Sequence, residues 1–529
     1  MRLFPALFAL ICGSLASPAQ ALPVLPEPAS CSACDHTIAP GTGEVNGTTL
    51  GIAPGATVCL QAGDYAFIRF REIRGAEGAP ITILNCGGVV DVHNTDRGYG
   101  VDFQGSSQFF RFTGSGTAGI EYGIRVSASR RGPDYPGMGL WFLDKSTNYE
   151  ADHIEVHDTG FAGVMAKTDP LCDGSADQGT FVQRNVHLHH LWVHDTGGEG
   201  FYVGSTQSAG QTIQCNGSAV KRQPHFLEGI ELDHNLVENT EWDGMQVGMA
   251  HQGCRVHHNV IRHVGTAGEM YQQQGLQIGT FSACDVRAND LRDGPAMGIF
   301  VLGAGDTTVG DNLVANFGED TVYMNVSGQA PARYAVHFNT LLGYKGSALR
   351  VFGKGITSAV SNNFVVGPST ALGVSNEVTS ESLTNNVFVA DLGAAAFVGA
   401  DDFHLSEASP ARHAGIGLSA QGFVRDLDGL LRSSPPAVGA YEFVGDADPA
   451  SWPDASTPAP SDDGGATGGE SDAGVTPRLK DADGGCSLSA PSRARGGLVW
   501  LALMLGVACV RRGQRRGARA AASSLNRAT

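Results

Sequence analysis

The sequence predicts an all-β chain wound as a parallel β-helix, and three observations carry that reading. An asparagine followed by apolar residues recurs at Asn235, Asn259, Asn289, Asn312, Asn339, Asn363 and Asn386, at steps of 24, 30, 23, 27, 24 and 23 residues. An apolar–variable–apolar triplet keeps the same beat: Met245-Gln246-Val247, Leu276-Gln277-Ile278, Ile299-Phe300-Val301, Val322-Tyr323-Met324, Leu349-Arg350-Val351 and Leu372-Gly373-Val374. Period-two alternation is a strand signal, with the outer residues of each triplet facing in and the middle one out. A leucine-rich repeat shares the period but would show several leucines at fixed offsets, which these repeats lack. Three short strands and three bends need about this many residues, so each repeat is one coil of a solenoid of roughly 10–12 coils. The recurring asparagine fits a ladder whose amides bond from rung to rung, on a residue type that tolerates the left-handed backbone of a tight bend.

Composition bounds the setting. The chain has 529 residues, a formal charge of −18 and 72 glycines. One long solenoid uses that length as well as several globular domains would. The acidity argues against nucleic acid as a partner, and the chain reads as a monomer. Residues 1–21 read as a signal peptide: Arg2, the apolar run 3–15, and Ala19-Gln20-Ala21 as a small-residue cleavage site. Of 11 cysteines, Cys12 leaves with the signal and Cys486 and Cys509 lie near the C-terminus. The even remainder in an exported chain favours disulfides.

In chain order, residues 22–92 form an N-terminal cap with the first coils, stapled by Cys31, Cys34, Cys59 and Cys86, because a solenoid needs its first strand edge covered. The helix proper covers 93–400. Its rungs lengthen across two irregular insertions, about 168–184 and 205–228, each with one cysteine. Cys172 and Cys215 are therefore expected to pair. Cys254 and Cys284 sit 30 residues apart, the same step as Asn259 to Asn289, so they stack on adjacent rungs where a bond can form. Residues 401–445 break the beat and close the domain. Residues 446–485, rich in Asp, Pro, Gly, Ser and Ala, are a disordered acidic linker. In 486–529, Cys486-Ser487 precedes an apolar run, 498–510, and the arginines Arg511, Arg512, Arg515 and Arg516. That run is short for a stable span and fits a processed sorting signal.

Three parts of the chain look familiar. The rungs, over roughly 50–445, resemble the right-handed, pectate-lyase-like parallel β-helix superfamily. The opening 55–65 with Ala79-Pro80-Ile81-Thr82-Ile83 looks like the first coils of many secreted members, including polysaccharide lyases. The closing Asp402-Phe403-His404-Leu405, Ser409-Pro410-Ala411, Asp426-Leu427-Asp428-Gly429 and 438–443 resemble their common C-terminal module. The tail resembles the MYXO-CTERM sorting signal, which implies a sorting machinery as partner and a protein exported to the cell surface or outer membrane, or released. The resemblance implies a polysaccharide partner. The chain lacks the paired aspartates of polygalacturonases, the Glu-x-Glu with Lys-Ser of alginate and chondroitin lyases of this fold, and the Asp-Pro-His of mannuronan epimerases.

The outward triplet positions form a row: Arg125, Met165, Tyr202, Gln246, Gln277, Phe300, Tyr323 and Arg350. Glu199, Asp243, Gln274, Glu319 and Asp320 lie at the strand starts. Rungs about 4.8 Å apart let such a strip follow an extended polymer, with Glu199, Tyr202, Asp243, Gln246, Gln277, Tyr323 and Arg350 as the substrate-binding residues. Elimination on a uronate needs a base for the C5 proton and a cation for the carboxylate. In the superfamily the base is often Lys or Arg and the cation Ca²⁺. The reading assigns Lys221 or Lys167 as base, Arg222 as neutraliser, and Glu199, Asp243 and Glu228 as acidic or Ca²⁺-binding partners. The competing class is a non-catalytic adhesin or glycan-binding surface protein. Twelve of 17 histidines fall between His153 and His263. Those beside the ladder are read as turn and stacking residues, with His187-x-His189 the one pair suggesting a metal and His157-Asp158 and His194-Asp195 as acid/base pairs.

Overall fold

The computed structural model describes residues 31–128, 137–303, 305–326 and 332–445; the expected signal peptide, acidic linker and sorting tail lie outside the described residues. It is a right-handed parallel β-helix, as the repeat predicts. One long face is a sheet of 12 parallel strands, one per coil, running from Glu44–Asn46 through Ala162–Ala166, Glu199–Gly204, Met245–Gly248, Leu276–Ile278, Ile299–Leu302, Val322–Asn325 and Leu349–Phe352 to Leu372–Val374. The other two strands of each coil merge into a 24-stranded sheet, bent between pairs such as Phe226–Asp233 and Leu236–Glu238.

Alternation decides what is inside. Val164, Phe201, Met245, Leu276, Ile299, Val322 and Leu349 align in register and are fully buried, one apolar layer per coil. Each such side chain contributes about 1.5–3 kcal/mol by leaving water. In the early coils the neighbouring inward column is aromatic, Phe70, Phe103 and Phe142 in register, with Phe70 stacked on Phe103 at 4.6 Å and Phe142 on Tyr149 of the other sheet at 4.4 Å.

The asparagine ladder is present. Asn259 Nδ2 donates to Asn289 Oδ1 at 2.9 Å, Asn289 to Asn312 at 3.0 Å and Asn312 to Asn339 at 2.9 Å, and the chain of amides continues to Asn386. One expectation is corrected. The left-handed residue at the bend is not the ladder asparagine but the one before it, with φ +50° at His234, +53° at His258, +54° at Asp311 and +60° at Asn362. The asparagine is instead the buried member that satisfies the backbone of the turn, its Nδ2 also reaching Leu232 O from Asn259 and Val256 O from Asn289.

The expected Cys172–Cys215 pair forms, the N-terminal cysteines staple the cap in a pairing that the sequence left open, and Cys254 and Cys284 are bonded as well. Cys31–Cys86 and Cys34–Cys59 fasten the N-terminal segment, Cys172–Cys215 joins the two insertions, and Cys254–Cys284 joins consecutive rungs. After the last strand, residues 391–445 turn back along the flank of the later rungs. Arg432 Nη2 meets Asp311 Oδ1 at 2.6 Å, Asn362 bonds the backbone of Ile416, and Ala440 N donates to Thr340 Oγ1 at 2.9 Å. Phe423 lies under the Arg287 guanidinium, 4.1 Å from its ring centre.

Candidate functional site

The register of the 12-stranded sheet lines up Met165, Tyr202, Gln246, Gln277, Phe300, Tyr323 and Arg350 on its outer face, each the partner of the next. Arg125 does not belong to this row. It lies in the other sheet between Asp91 and Glu155, where its Nε meets Glu155 Oε2 at 3.0 Å. Nor is the middle of the row open to solvent. Met165, Tyr202, Gln246 and Gln277 are buried, Phe300 and Tyr323 are half-buried, and Arg350 is exposed.

A cleft lies over the middle rungs, lined by Phe161, Glu199, Tyr202, Thr206, Gln246, Tyr271, Gln272 and Gln277. Four of these were legible in the sequence; Phe161, Thr206, Tyr271 and Gln272 were not. The signal for the last two is the 30-residue step between Asn259 and Asn289, which leaves spare chain between the strands Val260–Arg262 and Leu276–Ile278 to overhang the sheet.

Glu199 and Asp243 each stand three residues before the outward residue of their strand and are followed by a glycine, which sets them side by side. At Gly244 a Cβ would meet Ile261 Cγ2 at 2.5 Å and the Gly275 carbonyl at 2.6 Å, so only glycine lets this part of the coil close onto its neighbours. Both acids are enclosed. Burial pushes the Asp243 carboxyl up to about 8, although Gln274 N donates to its Oδ1 at 2.7 Å and Gln246 Nε2 to its Oδ2 at 3.2 Å. Burial, with Asp243 adding to it, holds Glu199 well above the usual carboxylate range, and Glu199 Oε2 has no hydrogen-bond partner. Both carboxyls hold their protons more strongly than an exposed carboxylic acid does.

Lys167 lies beside them. Its Nζ is 2.9 Å from Asp169 Oδ1 and 4.9 Å from the Tyr202 ring centre. Burial works against its charge, but the Asp169 carboxylate and its neighbours outweigh this and hold the ammonium at about 12. It is a cation at the cleft rather than a proton acceptor. Lys221 is exposed on a hairpin of Gln211–Cys215 and Ser218–Arg222. Arg222 ties the insertions together, reaching Asp177 Oδ2 at 2.9 Å and the Cys172 carbonyl at 2.8 Å. Glu228 stands on the other sheet, held by Arg184 at 2.9 Å and His251 at 3.1 Å. Glu199, Asp243 and Glu228 therefore do not converge. Both Asp243 oxygens are already engaged, so this set does not fit a Ca²⁺ ion, which wants six to eight oxygens. Farther along, Tyr323 lies 5.2 Å from Phe300 and 5.0 Å from Phe352, and Arg350 meets Asp320 at 3.1 Å.

No family model matches this chain, and neither does any curated protein. Among solved structures it is similar to pectate lyase Pel9A at 14% identity, covering 78% of this chain and 100% of that one, with a TM-score of 0.40. It is also similar to the A-module of mannuronan C-5 epimerase AlgE4 from Azotobacter vinelandii (13%, 67% and 100%, TM-score 0.37) and to an alginate lyase from a Paenibacillus strain (16%, 67% and 98%, TM-score 0.31).

Proposed function

We propose that this protein binds polysaccharide along the outer row of the 12-stranded sheet and cleaves it at the Glu199–Asp243 pair by acid–base chemistry. The observation that carries the proposal is that pair: two enclosed carboxyls side by side at one cleft, beside an enclosed cation. A protonated carboxyl meets an anionic sugar without repulsion and donates a hydrogen bond to it, and Lys167 supplies the positive charge. In elimination on a uronic-acid polymer these groups neutralise the substrate carboxylate, and Asp243 in its ionised form takes the C5 proton. The C5–H electron pair forms the C4–C5 double bond, and the leaving glycosidic oxygen takes the proton of Glu199. From Tyr202 to Arg350 the row covers five rung steps, roughly 24 Å at the usual spacing. Phe300, Tyr323 and Arg350 form its more open end and suit stacking on and hydrogen bonding to an extended glycan, while the buried Tyr202, Gln246 and Gln277 line the cleft.

The test offers pectate, alginate and glycosaminoglycans to the purified protein and follows both unsaturated products by ultraviolet absorbance and new reducing ends. Elimination gives both signals, hydrolysis only the second. Glu199→Gln and Asp243→Asn are expected to abolish cleavage while the polymer still binds. Lys221→Ala reports whether the hairpin reaches the polymer. Retention on a polysaccharide column with no new ends in the wild type would leave a non-catalytic surface binder, the reading that the half-buried ring row of Phe300 and Tyr323 favours.

A further inference from the structure

Away from the cleft, the 24-stranded sheet carries a second cluster of titratable side chains that the polysaccharide reading does not use. Two ladders run side by side there along the solenoid axis. One aligns Arg111, Glu150, His187, Glu231 and Arg255; the next aligns Asp152, His189, Asp233 and His257. At the adjoining bend the rings of His153, His190, His234 and His258 stack at 5.2, 5.1 and 5.0 Å, as the stacking expectation for these histidines had it.

His187 and His189 stand two apart on one strand, so both rings leave the same face, with centroids 4.0 Å apart. The rung on one side supplies Glu150 and the rung on the other Glu231 and Asp233. The ligand atoms of Glu150, His187 and His189 lie within 4.8 Å of one another, and so do those of His187, Glu231 and Asp233. The carboxylate third ligand that spacing along the sequence did not offer comes from neighbouring coils.

We propose that this cluster binds one first-row divalent transition-metal ion, with Zn²⁺ as the reference, through His187 and neighbouring imidazole and carboxylate groups. Imidazole nitrogen and carboxylate oxygen bind Zn²⁺ at about 2.0–2.2 Å, which sets tetrahedral ligands roughly 3.4 Å apart. His189 Nε2 is 3.0 Å from Glu150 Oε1, and His187 Nε2 is 2.6 Å from Asp233 Oδ1. These gaps widen by small rotations of His187, His189 and Glu150, which are only partly enclosed, about the buried Asp233. His189 Nδ1 already meets His190 Nδ1 at 2.7 Å, the kind of outer contact that orients a ligating ring. A neutral imidazole has one lone pair, and both seats use His187, so they are alternatives and the stoichiometry is one. Arg111 Nε, 3.1 Å from Glu150, and Arg255 Nη2, 2.8 Å from Glu231, compete for the carboxylates. The imidazoles therefore set the preference, toward Zn²⁺, Ni²⁺ or Cu²⁺ and away from Ca²⁺ and Mg²⁺.

The test titrates chelator-stripped, full-length protein with Zn²⁺ by calorimetry, and with Co²⁺ by visible absorption. One saturable site is expected, unaffected by excess Ca²⁺, with affinity at least tenfold weaker in His187→Gln and in His189→Gln and unchanged in His157→Gln. Zn²⁺ should also raise the unfolding temperature of the unaltered protein, a readout that does not depend on a variant folding. Absence of saturable binding, equal affinity in His187→Gln, or an unfolding temperature indifferent to excess Zn²⁺ would overturn the proposal.

Discussion

Lys167 Nζ is held 2.9 Å from Asp169 Oδ1 and 4.9 Å above the ring of Tyr202, an enclosed cation fastened to the side chain at the centre of the cleft. The contact joins the strand Ala162–Ala166, through the residue that follows it, to the next rung.

Lys167→Met is expected to weaken binding of an anionic polymer at least tenfold, and Lys167→Arg to retain most of it. The Lys167 side chain is only 4% exposed and the Asp169 oxygen that faces it is enclosed, so Lys167→Met should also cost stability, on the order of 1–3 kcal/mol, by leaving that oxygen without its partner. Affinity electrophoresis beside thermal unfolding checks both halves. Equal affinity in Lys167→Met would remove this cation from the binding scheme.

Three enclosed carboxyls give stability a pH dependence of definite sign. Burial raises Asp243 to about 8, Asp426 to about 7 and Asp311 to about 6, against 3.8 ordinarily. The unfolded chain releases these protons near pH 4 and the folded chain only at the raised values. Their contribution is therefore complete below about pH 4 and lost as pH rises through 6 to 8. Below about pH 6.5, His190, His225, His258 and His337, lowered to about 4, pull the other way. The urea midpoint should therefore fall between about pH 6.5 and pH 8, and Asp243→Asn should flatten that slope. An equal slope in the variant would place the titration elsewhere.

Asn289→Ala should cost about 3 kcal/mol. It leaves Asn259 N and Nδ2, both buried, without the acceptor that each now finds at 3.0 and 2.9 Å. Asn386→Ala, at the half-exposed end of the ladder, should cost less. Denaturant midpoints compare them, and a reversed order would contradict a cooperative ladder.

Gly244→Ala should destabilise the coil beside the cleft, because its Cβ would stand 2.5 Å from Ile261 and 2.6 Å from a backbone carbonyl. Soluble yield and unfolding temperature should both drop, and overpacking of this kind costs roughly 1–3 kcal/mol or more.

Periodicity made the row from Tyr202 to Arg350 legible, because a solenoid converts a fixed offset in sequence into adjacency in space. The same logic placed Glu199 and Asp243 together and paired Cys254 with Cys284. It failed wherever chain leaves the repeat. The direction in which an insertion folds is set by contacts such as Arg222 with Asp177, which no period encodes. Glu228 was grouped with the cleft for that reason, although its strand faces the other way. Arg125 was misplaced because each coil has three strands, and alternation alone does not say which of the three a triplet belongs to.

The returning segment 391–445 changes how the chain can be completed in time. In a bare solenoid folding can start at any coil and spread to its neighbours. Here the rungs of Asp311, Thr340 and Asn362 receive Arg432, Ala440 and Ile416 as partners. Those coils stay incomplete until a segment more than fifty residues farther along the chain has folded back onto them. A chain cut short before residue 432 would leave Asp311 and Thr340 without these partners and that flank of the stack uncovered.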